Sequence, residues 1–459
     1  GGANTSIITG DTVSYAKLKA DLNGLNYTGD AVFDNIFMDL ANINSGYSSV
    51  DIRDNDGSNN IRVVATDYLR NIKNIISSSG NDTLYGDAGA NTLKGGLGDD
   101  TLMGRGGNDY LDGEGGNNTV SYSYVSTSSD VTVDLKNGTG VLAVGDEDRL
   151  VNIQNVIGTK NSDLIKMGTV AGALESVANS IDGGDGIDTI SYEYYTANLT
   201  INLGAGSVAT GDNDLLTSIE NAIGGSGDDT FISNTAVSNI FDGGAGSDTV
   251  DYSHLTNSAN SIVVTLNGST LTTVTIAGLE DDSIKNIENV TGGAGNDTIV
   301  GDANDNTLKG GAGNDIIKGK SGNNSLYGGV GDDTIFSGTG NDYIDGGDGI
   351  DTVDYSEAIA AVNVDLGLET AQNIGGGMGQ DTLISIENVI GSNFDDTFKS
   401  HFSRDNYFDG YGSGIAGDTV DYSGIPVDNV TQDFVRIDLS SKKGTIFIDG
   451  TQSATDTYK

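Results

Sequence analysis

A nine-residue phrase that repeats without a gap over residues 292–354 limits the possible fold more than any other feature of this sequence. Its seven copies read GGAGNDTIV, GDANDNTLK, GGAGNDIIK, GKSGNNSLY, GGVGDDTIF, SGTGNDYID and GGDGIDTVD. Five more copies occupy residues 77–121, and single copies begin at Gly183, Gly224 and Gly243. Each copy joins a glycine-rich turn and an acidic residue to a short apolar strand, a pattern that predicts a calcium-bound parallel β-roll.

The chemistry of each position supports that prediction. In the consensus GGxGxDxUx, glycines at positions 1, 2 and 4 allow the positive φ angles of a tight turn and let backbone carbonyls face inward. Position 6 supplies a carboxylate, a hard oxygen ligand that suits calcium. One aliphatic side chain at position 8 enters the core of each nonad and does not offset the entropy lost by nine ordered residues. We therefore expect calcium binding to be coupled to folding.

These residues closely resemble the RTX (repeats-in-toxin) nonapeptide family. The resemblance implies an all-β protein, a parallel β-roll or β-solenoid in which two nonads make one coil. It also implies that multiple Ca²⁺ ions lie between a turn and its counterpart one coil on. The resemblance covers most of the chain and excludes residues 16–71.

The resemblance carries a set of expected calcium ligands onto this sequence. The carboxylates are Asp82, Asp100, Asp109, Asp188, Asp229, Asp248, Asp297, Asp315, Asp333, Asp342, Asp351, Asp396 and Asp418. The turn glycines are Gly95, Gly96, Gly98, Gly183, Gly184, Gly243, Gly244, Gly292, Gly293, Gly310, Gly311, Gly328, Gly329, Gly346 and Gly347.

If alternate nonads share an edge, the two edges of the second block differ. The odd copies have intact turns that carry Asp297, Asp315, Asp333 and Asp351. The even copies have interrupted turns that carry Asn306, Asn324 and Asp342. We expect one edge to bind ions well and the other to bind them weakly or through water. In the first block Asp82 and Asp100 form the best pair, and turns without an ion stay an open alternative for Asn118 and Asn324.

Two longer phrases surround the nonads and predict stacked modules. D/N-T-V/I-S/D-Y recurs at residues 11–15, 118–122, 188–192, 248–252, 351–355 and 418–422. I-E/Q/K-N-V/A/I-I/T recurs at residues 72–76, 153–157, 219–223, 287–291 and 386–390. An alternating strand lies between the two phrases, for example at residues 131–135, and a nonad-like turn follows the second phrase.

The phrases divide the chain into eight predicted segments. An N-terminal module with a non-repeat insert covers 1–76, the five-nonad roll covers 77–121, and the seven-nonad roll covers 292–354. The remaining segments are modules at 122–191, 192–251, 252–291 and 355–421 and a truncated module at 422–459. Within the insert, the spacing of the apolar residues in segment 31–43 predicts a short helix.

Composition excludes several classes of protein. The chain has 66 acidic and 22 basic side chains and a net charge of -44, which argues against nucleic acid and favours a divalent cation. Its charge suggests disorder, but a disordered chain has no reason to keep a nine-residue register. There is no cysteine and no apolar run long enough to span a membrane, and we expect no N-terminal signal peptide. We interpret the chain as a fragment of a longer protein.

Catalysis has little support in the sequence. Neither His254 nor His401 belongs to an HExxH motif, and no GxSxG motif occurs. We therefore expect no enzyme activity, although the abundance of carboxylates leaves a glycosidase pair open. The leading hypothesis is a calcium-dependent structural segment of a secreted bacterial cell-surface protein, such as an S-layer, filament or adhesin stalk. Its partners would be further copies of itself or other surface components.

Two other hypotheses stay open. The first is the folding and export cassette of a type I secreted enzyme or toxin, because RTX repeats stay unfolded at low calcium and fold on exit. The catalytic domain would then lie outside this chain. The second is capture of a ligand such as a glycan or ice on a flat β face, although Ile316, Ser325 and Tyr343 interrupt the threonines at position 7 that would favour ice binding.

Overall fold

The structure is a computed structural model that describes most of the chain. The described residues are 72–423, except 78, 126–128, 143–144, 169–177, 210–212, 402–403 and 413–416, together with the backbone of eight strands outside that range. Those eight strands are Ile7–Thr9, Thr12–Ser14, Asn35–Asp39, Ser48–Asn55, Ile61–Leu69, Phe434–Asp438, Lys443–Ile448 and Thr451–Tyr458. The chain divides into two compact units, Gly1–Gly227 and Asp228–Lys459.

The described residues form strands and turns, and no helix among them could cross a membrane. The nonads supply short strands whose central residue is buried. In the first unit these are Thr83–Tyr85, Thr92–Lys94, Thr101–Met103, Tyr110–Asp112 and Thr119–Ser121, and the strand Asn74–Ile76 directly precedes this block. In the second unit they are Thr298–Val300, Thr307–Ala312, Ile316–Lys318, Ser325–Val330, Thr334–Phe336, Tyr343–Asp348 and Thr352–Asp354.

Parallel pairing between alternate nonads confirms the predicted β-roll. Leu84 pairs with Leu102, and Leu308 pairs with Leu326, so that one coil contains two nonads. The position-8 side chains stack in the interior and have no exposed surface, as at Ile317. The strand register follows from this stack, because a shift of one residue would turn the aliphatic side chain to the outside.

The long segments between the nonads form three-stranded antiparallel sheets, which we call meanders. In the first unit they are Asn35–Asp39, Ser48–Asn55 and Ile61–Leu69; Val131–Asp134, Thr139–Leu142 and Glu147–Val151; and Thr200–Asn202, Ser207–Ala209 and Asp214–Thr217. In the second unit they are Ile262–Thr265, Thr272–Ile276 and Asp282–Lys285; Asn363–Asp365, Gln372–Asn373 and Gln380–Ile384; and Phe434–Asp438, Lys443–Ile448 and Thr451–Tyr458.

A meander takes the position of one strand in a coil of the roll. In the described part of the chain, the third strand of five meanders pairs in parallel with a strand of the preceding coil, as Leu150 does with Leu111. The first strand of five meanders pairs in parallel with a strand of the following coil, as Val133 does with Ile165. The meander therefore replaces a single strand of the coil, so that the parallel stack continues past it.

The helix predicted over residues 31–43 is wrong. The backbone at Asn35–Asp39 is the first strand of a meander and pairs antiparallel with Ser48–Asn55 and parallel with Thr83–Tyr85. The insert at 16–71 thus contains the same three-stranded element as the other modules. A short apolar cluster fits both a helix and a strand, and here the pairing with the roll favours the strand.

The remaining strands belong to single nonads or connect nonads to the meanders. They are Asn155–Ile157, Leu164–Lys166, Ser180–Asp182, Thr189–Ser191 and Asn221–Ile223 in the first unit, and Thr230–Ile232, Ile240–Asp242, Thr249–Asp251, Asn289–Thr291, Asn388–Ile390, Thr397–Lys399, Tyr407–Asp409 and Thr419–Asp421 in the second. The predicted segment boundaries stay predictions. Asp11 and Tyr15 of the first phrase lie outside the described residues.

Candidate metal centres

The position-6 side chains form a ladder along each edge of the roll. The Oδ1 atom of Asp315 accepts a hydrogen bond from the backbone N–H of Asp297, one coil earlier, at 2.7 Å. The same bond joins Asp333 to Asp315 at 2.7 Å and Asp351 to Asp333 at 2.9 Å. In the first block Asp100 accepts from the N–H of Asp82 at 2.8 Å, which brings together the pair predicted from the sequence. One carboxylate oxygen therefore fixes the register between coils.

The second carboxylate oxygen of many of these residues is buried and has no hydrogen-bond partner. This holds for the Oδ2 atoms of Asp100, Asp109, Asp188, Asp248, Asp315, Asp333, Asp342 and Asp351. A buried oxygen that carries negative charge and lacks a partner is costly, because it has lost its hydration without compensation. A bound cation removes that cost, and all eight of these residues are among the predicted ligands.

Backbone carbonyl oxygens lie close to the same aspartate Oδ2 atoms. A Cβ atom on Gly310 would overlap both Oδ2 of Asp315 and the carbonyl oxygen of Gly328. A Cβ atom on Gly328 would likewise overlap Oδ2 of Asp333 and the carbonyl oxygen of Gly346. The glycine at position 1 therefore leaves a space lined by a carboxylate and by a carbonyl of the next coil. Oxygen ligands of these two kinds are those that calcium prefers.

The other predicted glycines shape the turns. Six of the predicted glycines at position 2 have φ between 94° and 119°, namely Gly96, Gly184, Gly244, Gly311, Gly329 and Gly347, whereas Gly293 at the same position does not have a positive φ. Gly98, at position 4, has φ 114°. Gly95, Gly183, Gly243, Gly292 and Gly346 are position-1 glycines that face Oδ2 of their own nonad's aspartate. Arg105, Glu114 and Lys320 adopt positive φ at position 2 without glycine, at 75°, 61° and 64°.

Three candidate sites at module junctions use a carbonyl that the sequence analysis missed. The Oδ2 atoms of Asp188, Asp248 and Asp351 lie beside the carbonyl oxygens of Ser218, Asn286 and Ser385, respectively. These three residues directly precede the Ile-Glu-Asn phrase and have φ between 51° and 52°. The positive φ places the carbonyl where a position-1 glycine carbonyl lies in the tandem nonads.

Burial raises the pKa of the candidate carboxyl groups. It raises the pKa of Asp100 to about 8 and that of Asp315 to about 7, since desolvation penalises the charged form. Backbone hydrogen bonds to the carboxylates act in the opposite direction and are the smaller effect. A divalent cation would stabilise the charged forms.

Within the described residues, no three side chains of His, Cys, Asp or Glu cluster as they do in an all-side-chain metal site. The candidate centres differ from such a site because each combines carboxylates with backbone carbonyls. Their donor atoms therefore still fit calcium, which accepts backbone oxygens readily.

Some predicted ligands have fewer available oxygens. Oδ1 of Asp297 accepts the N–H of Ile262, and Oδ2 accepts the N–H of Gly293. Both oxygens of Asp396 likewise accept protein donors, including the backbone N–H and the hydroxyl of Ser392.

Three further predicted ligands have partners of different kinds. The hydroxyl of Ser77 donates to Oδ2 of Asp82. The buried Asp229 donates its backbone N–H to Asp248, and Oδ1 of Asp418 accepts the N–H of Asp396 at 2.9 Å.

The asparagine copies close their turns with amide groups. Asn306 Nδ2 donates to the carbonyl of Glu288 at 2.9 Å, and Asn324 Nδ2 donates to the carbonyl of Gly322 at 3.3 Å. Asn118 Nδ2 donates to the carbonyl of Asn152 at 3.1 Å. Carbonyls that accept a hydrogen bond from an amide are less available to an ion, which favours turns without an ion at these copies. Asp342 differs, because its Oδ2 has no partner.

Sequence reasoning also missed the function of the glutamate in the Ile-Glu-Asn phrase. The Oε2 atoms of Glu220, Glu288 and Glu387 accept the backbone N–H of Asp188, Asp248 and Asp351 at 2.8, 2.9 and 3.0 Å, respectively. The glutamate thus continues the position-6 ladder where a nonad is missing. The fixed position of this glutamate in the Ile-Glu-Asn phrase was the sequence signal that could have revealed its function.

A second ladder runs along position 5, on the outside of the turns. Oδ1 of Asn296 accepts the N–H of Asn314, and Oδ1 of Asn314 accepts that of Asp332, at 3.0 and 3.1 Å. Asp332 accepts the N–H of Ile350 at 3.0 Å. The frequent Asn or Asp at position 5 was the signal in the sequence.

Models of two protein families match this chain. The RTX calcium-binding nonapeptide repeat matches four times, at residues 74–102, 85–120, 291–326 and 318–353. The C-terminal domain of the serralysins, peptidase family M10, matches residues 160–267. No curated protein matches the chain. The chain therefore contains RTX calcium-binding nonapeptide repeats, its nonads bind calcium, and it is a calcium-binding structural segment of a type I secreted protein.

Proposed function

We propose that this chain is a calcium-dependent structural segment of a bacterial cell-surface protein, such as an S-layer, a filament or an adhesin stalk. The observation that carries the proposal is the series of buried aspartate Oδ2 atoms without a hydrogen-bond partner along the two edges of the coils. Each ion between stacked turns would join two coils and stiffen the stack.

The repeat architecture supports a building function. Nonads and meanders alternate through both units, and each coil buries its apolar residues against its neighbours. Solenoids of this kind gain length by adding coils, which suits a stalk or a layer. We propose that the chain has no catalytic activity and associates with further copies of itself or with other surface components.

Calcium removal tests this proposal. We expect electron microscopy of the native source to reveal a surface layer or filament that contains the protein, and we expect a calcium chelator to dissolve that assembly. Restoring calcium should restore it. An assembly that persists in excess chelator would contradict the proposal.

A second candidate function is the folding and export cassette of a secreted enzyme or toxin. The match of residues 160–267 to the serralysin C-terminal domain favours it. Antibody labelling of intact cells and of the culture medium separates the two functions, because a surface component stays on the cell and a secreted enzyme accumulates in the medium. Protein found in the medium alone would favour the cassette.

A further inference from the structure

A buried tyrosine and a buried aspartate meet in four of the modules. The tyrosines end the D/N-T-V/I-S/D-Y phrase, and the aspartates lie in the third strand of the meander. Each tyrosine hydroxyl donates to Oδ2 of the aspartate in the pairs Tyr122–Asp148 (3.1 Å), Tyr192–Asp214 (3.2 Å), Tyr252–Asp282 (2.9 Å) and Tyr355–Asp381 (2.9 Å). All eight side chains are at most 2% exposed.

These aspartates belong to the same ladder as the calcium-ligand candidates. Oδ1 of Asp282 accepts the backbone N–H of Asn239 at 2.9 Å, and Oδ1 of Asp381 accepts that of Asp342 at 3.1 Å. Asp148 and Asp214 accept the N–H of Asp109 and Asn179 in the same way. The two classes of aspartate therefore share their Oδ1 contact and differ at Oδ2.

The difference at Oδ2 is chemical. The Oδ2 atom of Asp248 has no hydrogen-bond partner and lies beside the carbonyl of Asn286. The Oδ2 atom of Asp282, in the same unit, accepts a hydrogen bond from the phenol of Tyr252, whose side chain is fully buried. A hydroxyl donor compensates a buried carboxylate by a charge-assisted hydrogen bond. The tyrosine thus satisfies the oxygen that an ion would otherwise have to satisfy.

We infer that the four tyrosine hydroxyls take the place of calcium where a meander joins the roll, so that Asp148, Asp214, Asp282 and Asp381 bind no ion. This inference deepens the calcium-dependent function proposed above and rests on it. The ladder then has two kinds of position: at some, a metal ion binds the Oδ2 atom of the aspartate, and at the others a tyrosine hydroxyl donates a hydrogen bond to it. A meander can then enter the roll without an additional metal site.

The ion count of variants of the complete 459-residue chain tests the inference. Asp282→Asn and Asp248→Asn are matched, because both aspartates are buried and both accept a ladder N–H at Oδ1, from Asn239 and Asp229 respectively. Native mass spectrometry in saturating calcium should find the wild-type number of ions in D282N and at least one ion fewer in D248N. Circular dichroism in calcium checks that each variant is folded.

Tyr252→Phe supplies a second measurement, because it removes only the hydroxyl. We expect Y252F to keep the wild-type ion count and to unfold at a lower urea concentration in saturating calcium. The exposed Tyr343→Phe should leave both quantities unchanged, since its side chain lies on the surface. A Y252F midpoint equal to that of the wild type would overturn the inference.

The outcomes separate the inference from the proposed function. A wild-type chain that binds no calcium would contradict the proposed function. A wild-type chain that binds calcium and loses an ion in D282N would overturn the inference alone. Equal ion counts for D248N and the wild type would also overturn it, because the two Oδ2 environments would then not differ in metal binding.

Discussion

The tandem nonads at 292–354 and the meander-bearing coils that precede them share the same aspartate Oδ1 contact between coils and differ in the partner of Oδ2. In the nonads, Oδ1 of Asp333 joins two coils, and its Oδ2, which has no hydrogen-bond partner, lines the space beside Gly328 together with the carbonyl of Gly346. In the meander-bearing coil, Asp282 makes the same Oδ1 contact, while the hydroxyl of Tyr252 meets its Oδ2. The coil register thus depends on Oδ1, and the need for metal depends on what meets Oδ2.

The largest effect should follow from removing three carboxylates on the edge formed by the odd-numbered copies of the second block. The triple variant D315N/D333N/D351N keeps an oxygen for each ladder bond and loses the negative charge at each candidate site. We expect residues 292–354 to stay unfolded at calcium concentrations that fold the wild type, because binding and folding are coupled. Calcium titrations followed by circular dichroism measure this. D332N is the control, since Asp332 lies on the exposed outer ladder. Equal titrations of the triple variant and the wild type would contradict the ligand assignment.

A methyl group at position 1 should have the next largest effect. Gly310→Ala places a Cβ against Asp315 Oδ2 and the Gly328 carbonyl, where the ion would lie. Overpacking of this kind costs typically about 1–3 kcal/mol, and the lost ion adds to it. Gly89→Ala is the control, because its Cβ would meet only side-chain atoms at 3.2 Å or more. Urea unfolding in calcium compares the variants, and a G310A as stable as G89A would refute the proposed position of the ion.

The pH dependence should have opposite signs with and without calcium. Burial raises the pKa of Asp315 and Asp351 to about 7, well above the ordinary value of 3.8 for an aspartate. The folded, calcium-free state therefore binds more protons than the unfolded state between about pH 4 and pH 7, and its stability falls as the pH rises through that window. Calcium competes with those protons, so saturation should require more calcium at about pH 5 than at about pH 8.

Circular dichroism with chelator, and calcium titrations at both pH values, measure these two trends. Without calcium, the strand signal should be larger at about pH 5 than at about pH 8. A calcium-free signal that grows as the pH rises would contradict the assignment of the buried carboxyl groups.

The smallest effect should come from adding a carboxylate to the edge formed by the even-numbered copies, which carries Asn306, Asn324 and Asp342. Asn324→Asp removes the amide that donates to the carbonyl of Gly322 and adds a carboxylate next to Asp342 on the ladder. We expect at most one additional ion by native mass spectrometry and a slightly lower calcium midpoint. Asn323→Asp is the control, because Asn323 lies on the outer ladder. Anomalous diffraction at equal strength along both edges of the wild type would contradict the predicted difference between the edges.

The sequence predicted the nonad coils well because turn, ligand and core residue recur at fixed positions. Two nonads per coil and the pairing of Asp82 with Asp100 follow from that repeat alone. The meanders were harder to predict, since their strands differ in length. Asp148, Asp214, Asp282 and Asp381 each stand five residues before the isoleucine of the Ile-Glu-Asn phrase, a spacing that could have revealed them. The wrong helix at 31–43 arose because local spacing does not show that a segment pairs with a distant coil.

Hydrogen exchange measured by mass spectrometry, with and without calcium, tests the central claim most directly. The claim is that calcium, bound between stacked turns, stabilises the nonad rolls. With calcium, the amides of Thr298–Val300 through Thr352–Asp354 should be protected; in chelator they should exchange at rates near those of an unfolded chain. Amides of residues 292–354 that stay equally protected in chelator would contradict the account.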